Sequence, residues 1–155
     1  MILKRINLVI ALLGVSTVLL AADNPFVGLW KFDLAKSKIT RGQPPKSRTL
    51  LLEAFGADGI KSTTDTVNPT GPAGHEVFGA KFDGKDYEIT GTDPRQVFLK
   101  RIDTNTIEAK YKRGGKITST SRFVVSKDGT TLTVSSEGVS GDGQPYKGDV
   151  RVYHK

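Results

Sequence analysis

Five pairs of residues that favour tight β-turns recur along the chain and divide it into short segments. They are Asp58-Gly59, Asp83-Gly84, Gly114-Gly115, Asp128-Gly129 and Asp142-Gly143. Asp-Gly and Gly-Gly pairs supply the positive φ angles that two-residue hairpin turns require. Between these turns the hydropathy alternates with a period of two: Ile107, Ala109 and Tyr111 alternate with charged residues, and Leu132 and Val134 alternate with Thr and Ser. Such alternation is typical of strands with one buried and one solvated face.

The same pattern predicts about ten strands. Besides the two segments above they are Val27–Asp33, Arg48–Phe55, Ile60–Val67, His75–Phe82, Asp86–Thr90, Gln96–Ile102, Lys116–Val125 and Lys147–His154. At most a short turn of helix fits Leu34 to Ser37, and no longer window has an apolar stripe at helical spacing. Short antiparallel strands in sequence order must cover their edges. The prediction is therefore an all-β, single antiparallel up-and-down β-barrel of about 8–10 strands.

The first 22 residues have the pattern of an export signal. Lys4 and Arg5 form a positive start, Ile6 to Leu20 is an apolar run, and Ala21-Ala22 provides small residues for cleavage. The apolar run has about 15 residues, fewer than the roughly 20 that span a bilayer. We therefore predict a cleaved signal peptide over residues 1–22, one domain over residues 23–155, and a periplasmic or extracellular protein without stable membrane insertion after cleavage.

Composition excludes several kinds of chemistry. The chain has no Cys and only two His, His75 and His154, so neither a disulfide scaffold nor a multi-His metal site is expected. No nucleophile elbow or phosphate-binding loop is present. The sequence thus predicts no catalytic residues, no metal and no cofactor. The formal net charge of +7 could attract polyanions, but export argues against a nucleic-acid partner.

Both ends of the predicted domain carry motifs of a known superfamily. Phe26-Val27-Gly28-Leu29-Trp30-Lys31 resembles the opening strand of the calycin superfamily, which includes the lipocalins and the fatty-acid-binding proteins, with its Gly-x-Trp signature. Arg151-Val152-Tyr153 resembles the Arg-x-Tyr on the final strand of the fatty-acid-binding proteins. The opening through Ala35-Lys36-Ser37-Lys38 also resembles a lipocalin-like group of uncharacterised exported bacterial proteins. The resemblance implies a lipocalin-like barrel and a ligand held inside it.

Arg151 and Tyr153 are the first candidate ligand contacts. Being two residues apart, they share one face of their strand. If that face is the lumen, a guanidinium and a phenol converge on a point suited to a carboxylate. Two alternatives remain open: Arg151 could stack on Trp30, or both residues could lie on the wet surface. Gly28 and Trp30 are expected to be structural, with Trp30 closing one end of the barrel.

Two strands rich in hydroxyl groups suggest a cavity. Thr118 to Ser121 and Ser62 to Thr64 put hydroxyls on both faces, as suits either a partly hydrated lumen or simply exposed strands. In a lumen, Arg122 would be a further anchor for an acidic group.

The function predicted from these observations is non-enzymatic binding of a small, partly apolar ligand, with or without an acidic group, in a barrel cavity, with Arg151, Tyr153 and Arg122 as polar anchors. The alternative is an envelope or secreted interaction or inhibitor module with a side-chain-filled barrel. That module would act through its loops and a basic patch of Lys100, Arg101, Lys110, Lys112, Arg113 and Lys116. The oligomeric state is not predicted.

Overall fold

The computed structural model describes residues 24–40, 42–91, 94–140 and 143–155, and in these ranges the chain forms ten β-strands and no helix. No helix that could cross a membrane occurs in the described ranges. The predicted all-β class is confirmed, and the signal segment 1–22 lies outside the described residues. The strands are β1 (Gly28–Lys38), β2 (Ser47–Ala54), β3 (Gly59–Val67), β4 (Gly74–Lys81), β5 (Asp86–Ile89), β6 (Arg95–Asp103), β7 (Thr106–Arg113), β8 (Lys116–Val125), β9 (Thr131–Val139) and β10 (Pro145–His154).

The strands form one antiparallel up-and-down sheet that curls into a nearly closed barrel. Its order is β4-β3-β2-β1-β10-β9-β8-β7-β6-β5, so the first and last strands are neighbours. Lys31 of β1 pairs with His154 of β10. In the described ranges, one bridge joins the seam between β4 and β5, in which the amides and carbonyls of Val77 and Thr90 exchange hydrogen bonds of 3.1 and 2.9 Å. The predicted barrel topology is therefore confirmed.

Leu34 to Ser37, where the sequence allows at most a short turn of helix, is instead a bulge within β1. Asp33 pairs with Val152 and Lys38 pairs with Val150, so β1 has extra residues between these positions. The Ser37 hydroxyl accepts a hydrogen bond from the Val152 amide at 2.9 Å and donates one to the Asp33 carbonyl at 2.6 Å. A side-chain oxygen thus satisfies a strand donor that the bulge leaves without its usual partner.

The two ends of the barrel differ. At the end where β1 begins and β10 finishes, Phe26 and Trp30 are fully buried, and we call this the closed end. At the opposite end, β1, β3 and β5 finish and β2, β4 and β6 begin, and we call this the loop end. Inward-facing residues alternate along the strands, for example Leu50 and Leu52 on β2, as a period of two requires.

Candidate functional site

The barrel encloses a cavity of about 280 Å³. Its wall has an apolar part and a polar part. The apolar part comprises Phe26, Leu50, Leu52, Ile60, Phe78, Ile89, Leu99, Ile107, Phe123 and Val134. The polar part comprises Arg48, Ser62, Thr64, Glu76, Arg95, Tyr111, Ser119, Ser121, Ser136, Tyr146, Arg151 and Tyr153. A pocket with an apolar wall and a few placed polar groups is the usual form of a small-molecule site.

The hydroxyl-rich strands contribute one face each to this cavity. Ser62 and Thr64 of β3 and Ser119 and Ser121 of β8 line it. The hydroxyl groups of Ser121 and Ser136 lie 2.7 Å apart, so each of these two buried hydroxyls is the hydrogen-bond partner of the other. The hydroxyl groups on the inward faces of these strands therefore line the lumen.

Arg151 and Tyr153 both line the cavity, so their shared face is the lumenal one. A guanidinium nitrogen of Arg151 lies 2.7 Å from a carboxylate oxygen of Asp149, whose exposed fraction is 1%. The other Asp149 oxygen accepts a hydrogen bond from the Thr40 amide at 3.0 Å, which ties the segment after β1 to β10. The ring of Tyr153 meets Phe32 edge to face, with 5.7 Å between the ring centroids. The Arg151 side chain thus already has an anionic partner inside the protein.

The predicted lumenal position of Arg122 is wrong. Arg122 is exposed on the outer face of β8, between two residues that line the cavity, Ser121 and Phe123. Since successive residues of a strand point to opposite faces, Arg122 must face solvent when its neighbours face the lumen. Outside, it is the register partner of Glu108 on β7 and Ser135 on β9.

Trp30 lies in the buried core and does not line the cavity, which is the position a barrel plug requires. Its indole Nε1 donates to the Phe26 carbonyl at 2.8 Å. The cation over its ring is Lys155, with Nζ 4.9 Å from the centroid, and the expected alternative of Arg151 stacking there is not found. Gly28 has a φ of 144°, and a Cβ there would lie 2.8 Å from Lys155 Cε. The flexible Lys155 side chain could move away from such a Cβ, so the positive φ is what favours glycine at position 28.

Several polar cavity residues were not singled out from the sequence, among them Arg48, Glu76, Arg95 and Tyr111. Arg95 and Glu76 form an ion pair that spans the seam from β6 to β4. Among the described residues, Arg48 has no carboxylate within ion-pair distance, and its buried Nε has no hydrogen-bond acceptor. The sequence carries a signal for the charged members of this set. Arg48 lies two residues before Leu50, so it shares the inward face of its strand with an apolar residue.

Tyr111 is the titratable group that the cavity perturbs most. Burial raises the pKa of the Tyr111 hydroxyl to about 12. The charges of Arg48 and Arg95 act on this hydroxyl in the opposite direction, whereas that of Glu76 adds to the rise. These three side chains and Tyr111 therefore form one electrostatic group at the loop end of the cavity.

The histidines of the described residues form pairs with carboxylates rather than metal-binding clusters. No three His, Asp or Glu side chains in these ranges are placed to hold a metal ion. His75 pairs with Asp65 at 2.6 Å on the outer surface, and His154 contacts Asp33 at 3.0 Å. Both are ordinary polar pairs between neighbouring strands.

Comparison with known proteins supports the fold. No family model matches the sequence, and no curated protein matches it. A crystal structure of a point mutant of the fluorescent protein UnaG matches with a TM-score of 0.57 and 16% identity, over 84% of this chain and 96% of that one. The wild-type UnaG crystal structure matches with a TM-score of 0.55 over the same shares, also at 16% identity.

This protein shares the β-barrel fold of UnaG. The resemblance deduced from the motifs at its two ends is confirmed at the level of the fold. The grouping with exported bacterial proteins stays a prediction. Since barrels of one fold host many functions, the function has to be argued from the cavity itself.

Proposed function

We propose that this protein is a non-enzymatic binding protein that holds a small, partly apolar and acidic molecule in its barrel. The observation that carries the proposal is a cavity whose wall combines apolar side chains with three guanidinium groups. Only two carboxylates, Glu76 and Asp149, pair with these groups in the described part of the chain. The excess positive charge favours an anionic ligand, because charges interact more strongly in a space screened from bulk water.

The cavity volume restricts the size of the ligand. A volume of about 280 Å³ corresponds to roughly nine water molecules at their share of liquid volume. This is near the lower end of the range for small-molecule pockets. A medium-chain carboxylic acid such as decanoate is therefore a suitable probe.

The test is calorimetric titration of decanoate into protein purified without detergent. Ser62 is buried and lines the cavity, whereas its neighbour Thr63 faces outward on the same strand. Ser62→Phe should fill the cavity and weaken binding at least tenfold, while the matched variant Thr63→Phe should bind like the wild type. Equal binding by both variants, or no saturable binding by the wild type, would contradict a site in the barrel.

We also propose that the protein acts outside the cytoplasm, after residues 1–22 are removed. The support is the sequence of Lys4, Arg5, the apolar run and Ala21-Ala22. Expression of the full chain in a bacterium, followed by cell fractionation and mass measurement of the protein, tests this. A full-length protein in the cytoplasm would refute it.

The interaction-module alternative receives less support. It requires a side-chain-filled barrel, but the barrel contains a cavity. It also requires a free basic patch, yet Lys112 lies 2.8 Å from Asp86, and Lys110 lies 3.6 Å from Glu108. These carboxylates reduce the positive field of the outer face.

A further inference from the structure

We propose that Arg48, at the loop end, receives the acidic group of the ligand in preference to Arg151, so that the ligand's apolar end points toward Phe26 at the closed end. This inference rests on the proposed function and adds the anchoring residue and the orientation of the bound molecule. The inference follows from a comparison of the three cavity arginines, some of which already form ion pairs with carboxylates of the protein.

Arg151 is a poor receptor for an added anion because its guanidinium already forms an ion pair with Asp149. The two side chains are 2.7 Å apart, and the side chain of Asp149 is 2% exposed. The Asp149 carboxylate also accepts a hydrogen bond from the Thr40 amide, and this bond fixes the position of the carboxylate. A ligand carboxylate placed on Arg151 would lie beside a buried carboxylate of the same charge, an arrangement that disfavours ionisation of both.

Arg95 is neutralised in a similar way. Its guanidinium is paired with Glu76 across the seam, and the two side chains are 24% and 34% exposed. Arg95 remains able to donate from Nε, which is buried and has no acceptor among the described residues. It can therefore assist an anion bound nearby, but its charge is compensated.

Arg48 is the cavity arginine without a carboxylate partner in the described ranges. Its Nε is buried and has no acceptor there, which is also true of the Nε atoms of Arg95 and Arg151, so the missing carboxylate is what distinguishes Arg48. Tyr111 belongs to the same electrostatic group, and its hydroxyl keeps its proton at neutral pH and can donate it. A free guanidinium beside a phenolic donor is a suitable receptor for a carboxylate.

The rest of the cavity wall gives the ligand its direction. Arg48 is the second residue of β2 and so lies at the loop end, and Leu50 and Leu52 follow it on the inward face. Beyond them Phe26 lines the cavity at the closed end. An alkyl chain extending from Arg48 along β2 would therefore contact apolar side chains and end near Phe26.

The orientation can be measured by fluorescence, since Trp30 is the single Trp of the chain. Trp30 donates to the Phe26 carbonyl at 2.8 Å and thus lies beside the expected position of the alkyl end. Decanoate with bromine on its terminal carbon should quench Trp30, and decanoate with bromine next to the carboxylate should quench it much less. Stronger quenching by the second compound would overturn the proposed orientation.

The anchoring residue can be measured with variants titrated with decanoate and with neutral decanol. Arg48→Gln should weaken decanoate binding about tenfold or more, as for a lost charge-assisted hydrogen bond, and should leave decanol binding within about twofold. Arg122→Gln removes the same charge from the outer face and should have no effect. Asp149→Asn combined with Arg151→Gln removes the internal pair without leaving a buried charge, and should cost less decanoate affinity than Arg48→Gln.

The outcomes separate this inference from the proposed function. If decanoate binds and the double variant loses more affinity than Arg48→Gln, the barrel is a binding site but its anchor is Arg151, and the inference is wrong. If neither decanoate nor decanol binds the wild type, the proposed function itself fails.

Discussion

Tyr111 shows at the scale of one residue how the cavity alters chemistry. Its strand position, two residues after Ala109, places it on the inward face, and burial raises the pKa of its hydroxyl from 10.0 to about 12. The hydroxyl is therefore uncharged at neutral pH and serves as a hydrogen-bond donor to an anion. The charge of Arg48 lowers the pKa of the Tyr111 hydroxyl and that of Glu76 raises it, so substitution of either residue should change this pKa.

The raised pKa of Tyr111 leads to a pH dependence of stability. Between pH 10 and 12 the unfolded chain releases this proton while the folded protein retains it, so the free energy of unfolding falls as pH rises. Below pH 10 the contribution is fully present. Two pKa units correspond to about 3 kcal/mol as an upper bound. Tyr111→Phe should therefore flatten the alkaline loss of stability, as measured by urea unfolding at a series of pH values.

Tyr87 provides the control for this measurement. Its pKa is also raised, but chiefly through an exposed hydrogen bond from its hydroxyl to Asp83 rather than through burial. Tyr87→Phe should leave most of the alkaline loss in place. If the two variants flatten the curve equally, the burial of Tyr111 is not its cause.

At the scale of the elements, the seam between β4 and β5 is the weakest part of the barrel wall. Only the Val77–Thr90 bridge joins these two strands in the described ranges, and the Arg95–Glu76 ion pair spans the same seam. Gly91 follows this bridge with a φ of 82°, and a Cβ on it would lie 1.9 Å from the His75 carbonyl oxygen. Close approach of the two backbones therefore depends on glycine at this position.

Gly91→Ala should open the seam. The clash is with backbone, which cannot rotate away as a side chain could, so the Val77 and Thr90 amides should lose protection from hydrogen exchange. Gly84→Ala is a matched control, because Gly84 has a similar φ of 78° at the other end of β5 but its nearest neighbour is 3.8 Å away. This control should show only the backbone strain, about 1 kcal/mol. Equal loss of amide protection in both variants would mean that close packing at Gly91 does not hold the seam.

At the scale of the whole molecule, β10 completes the barrel by pairing with both β1 and β9. The contact joins the two ends of the described domain, so it forms only after a long loop of chain has closed. Lys155 then lies over Trp30 and completes the closed end. Stability of the barrel should therefore depend strongly on the last few residues.

Deletion of residues 151–155 should abolish cooperative unfolding. It removes register partners from both β1 and β9 and uncovers Trp30, whose emission should shift to that of the unfolded chain. Lys155→Gln is the control, since it removes only the cation–π contact and should cost about 1 kcal/mol or less. A cooperative urea transition with buried-type Trp30 emission in the deleted protein would contradict the closure argument.

Local pattern was sufficient for the strands and their order. Turn pairs and period-two alternation predicted ten strands, because a hairpin turn and a half-buried strand are each specified within about ten residues. The same rule predicted that Arg151 and Tyr153 share a face. It did not predict the bulge at Leu34 to Ser37, where it allowed at most a short helical turn, because the bulge depends on the register between β1 and β10.

The sequence by itself determined the strands, the barrel class and the pairing of faces within each strand. Only the tertiary structure decided which face is the lumen: a strand with hydroxyls on both sides has no preferred phase, and a shift of one residue moves Arg122 outside and Ser121 inside. It also decided which charges meet, since Arg48, Glu76 and Arg95 come from β2, β4 and β6. Their positions depend on closure of the sheet, a long-range contact that no local pattern encodes.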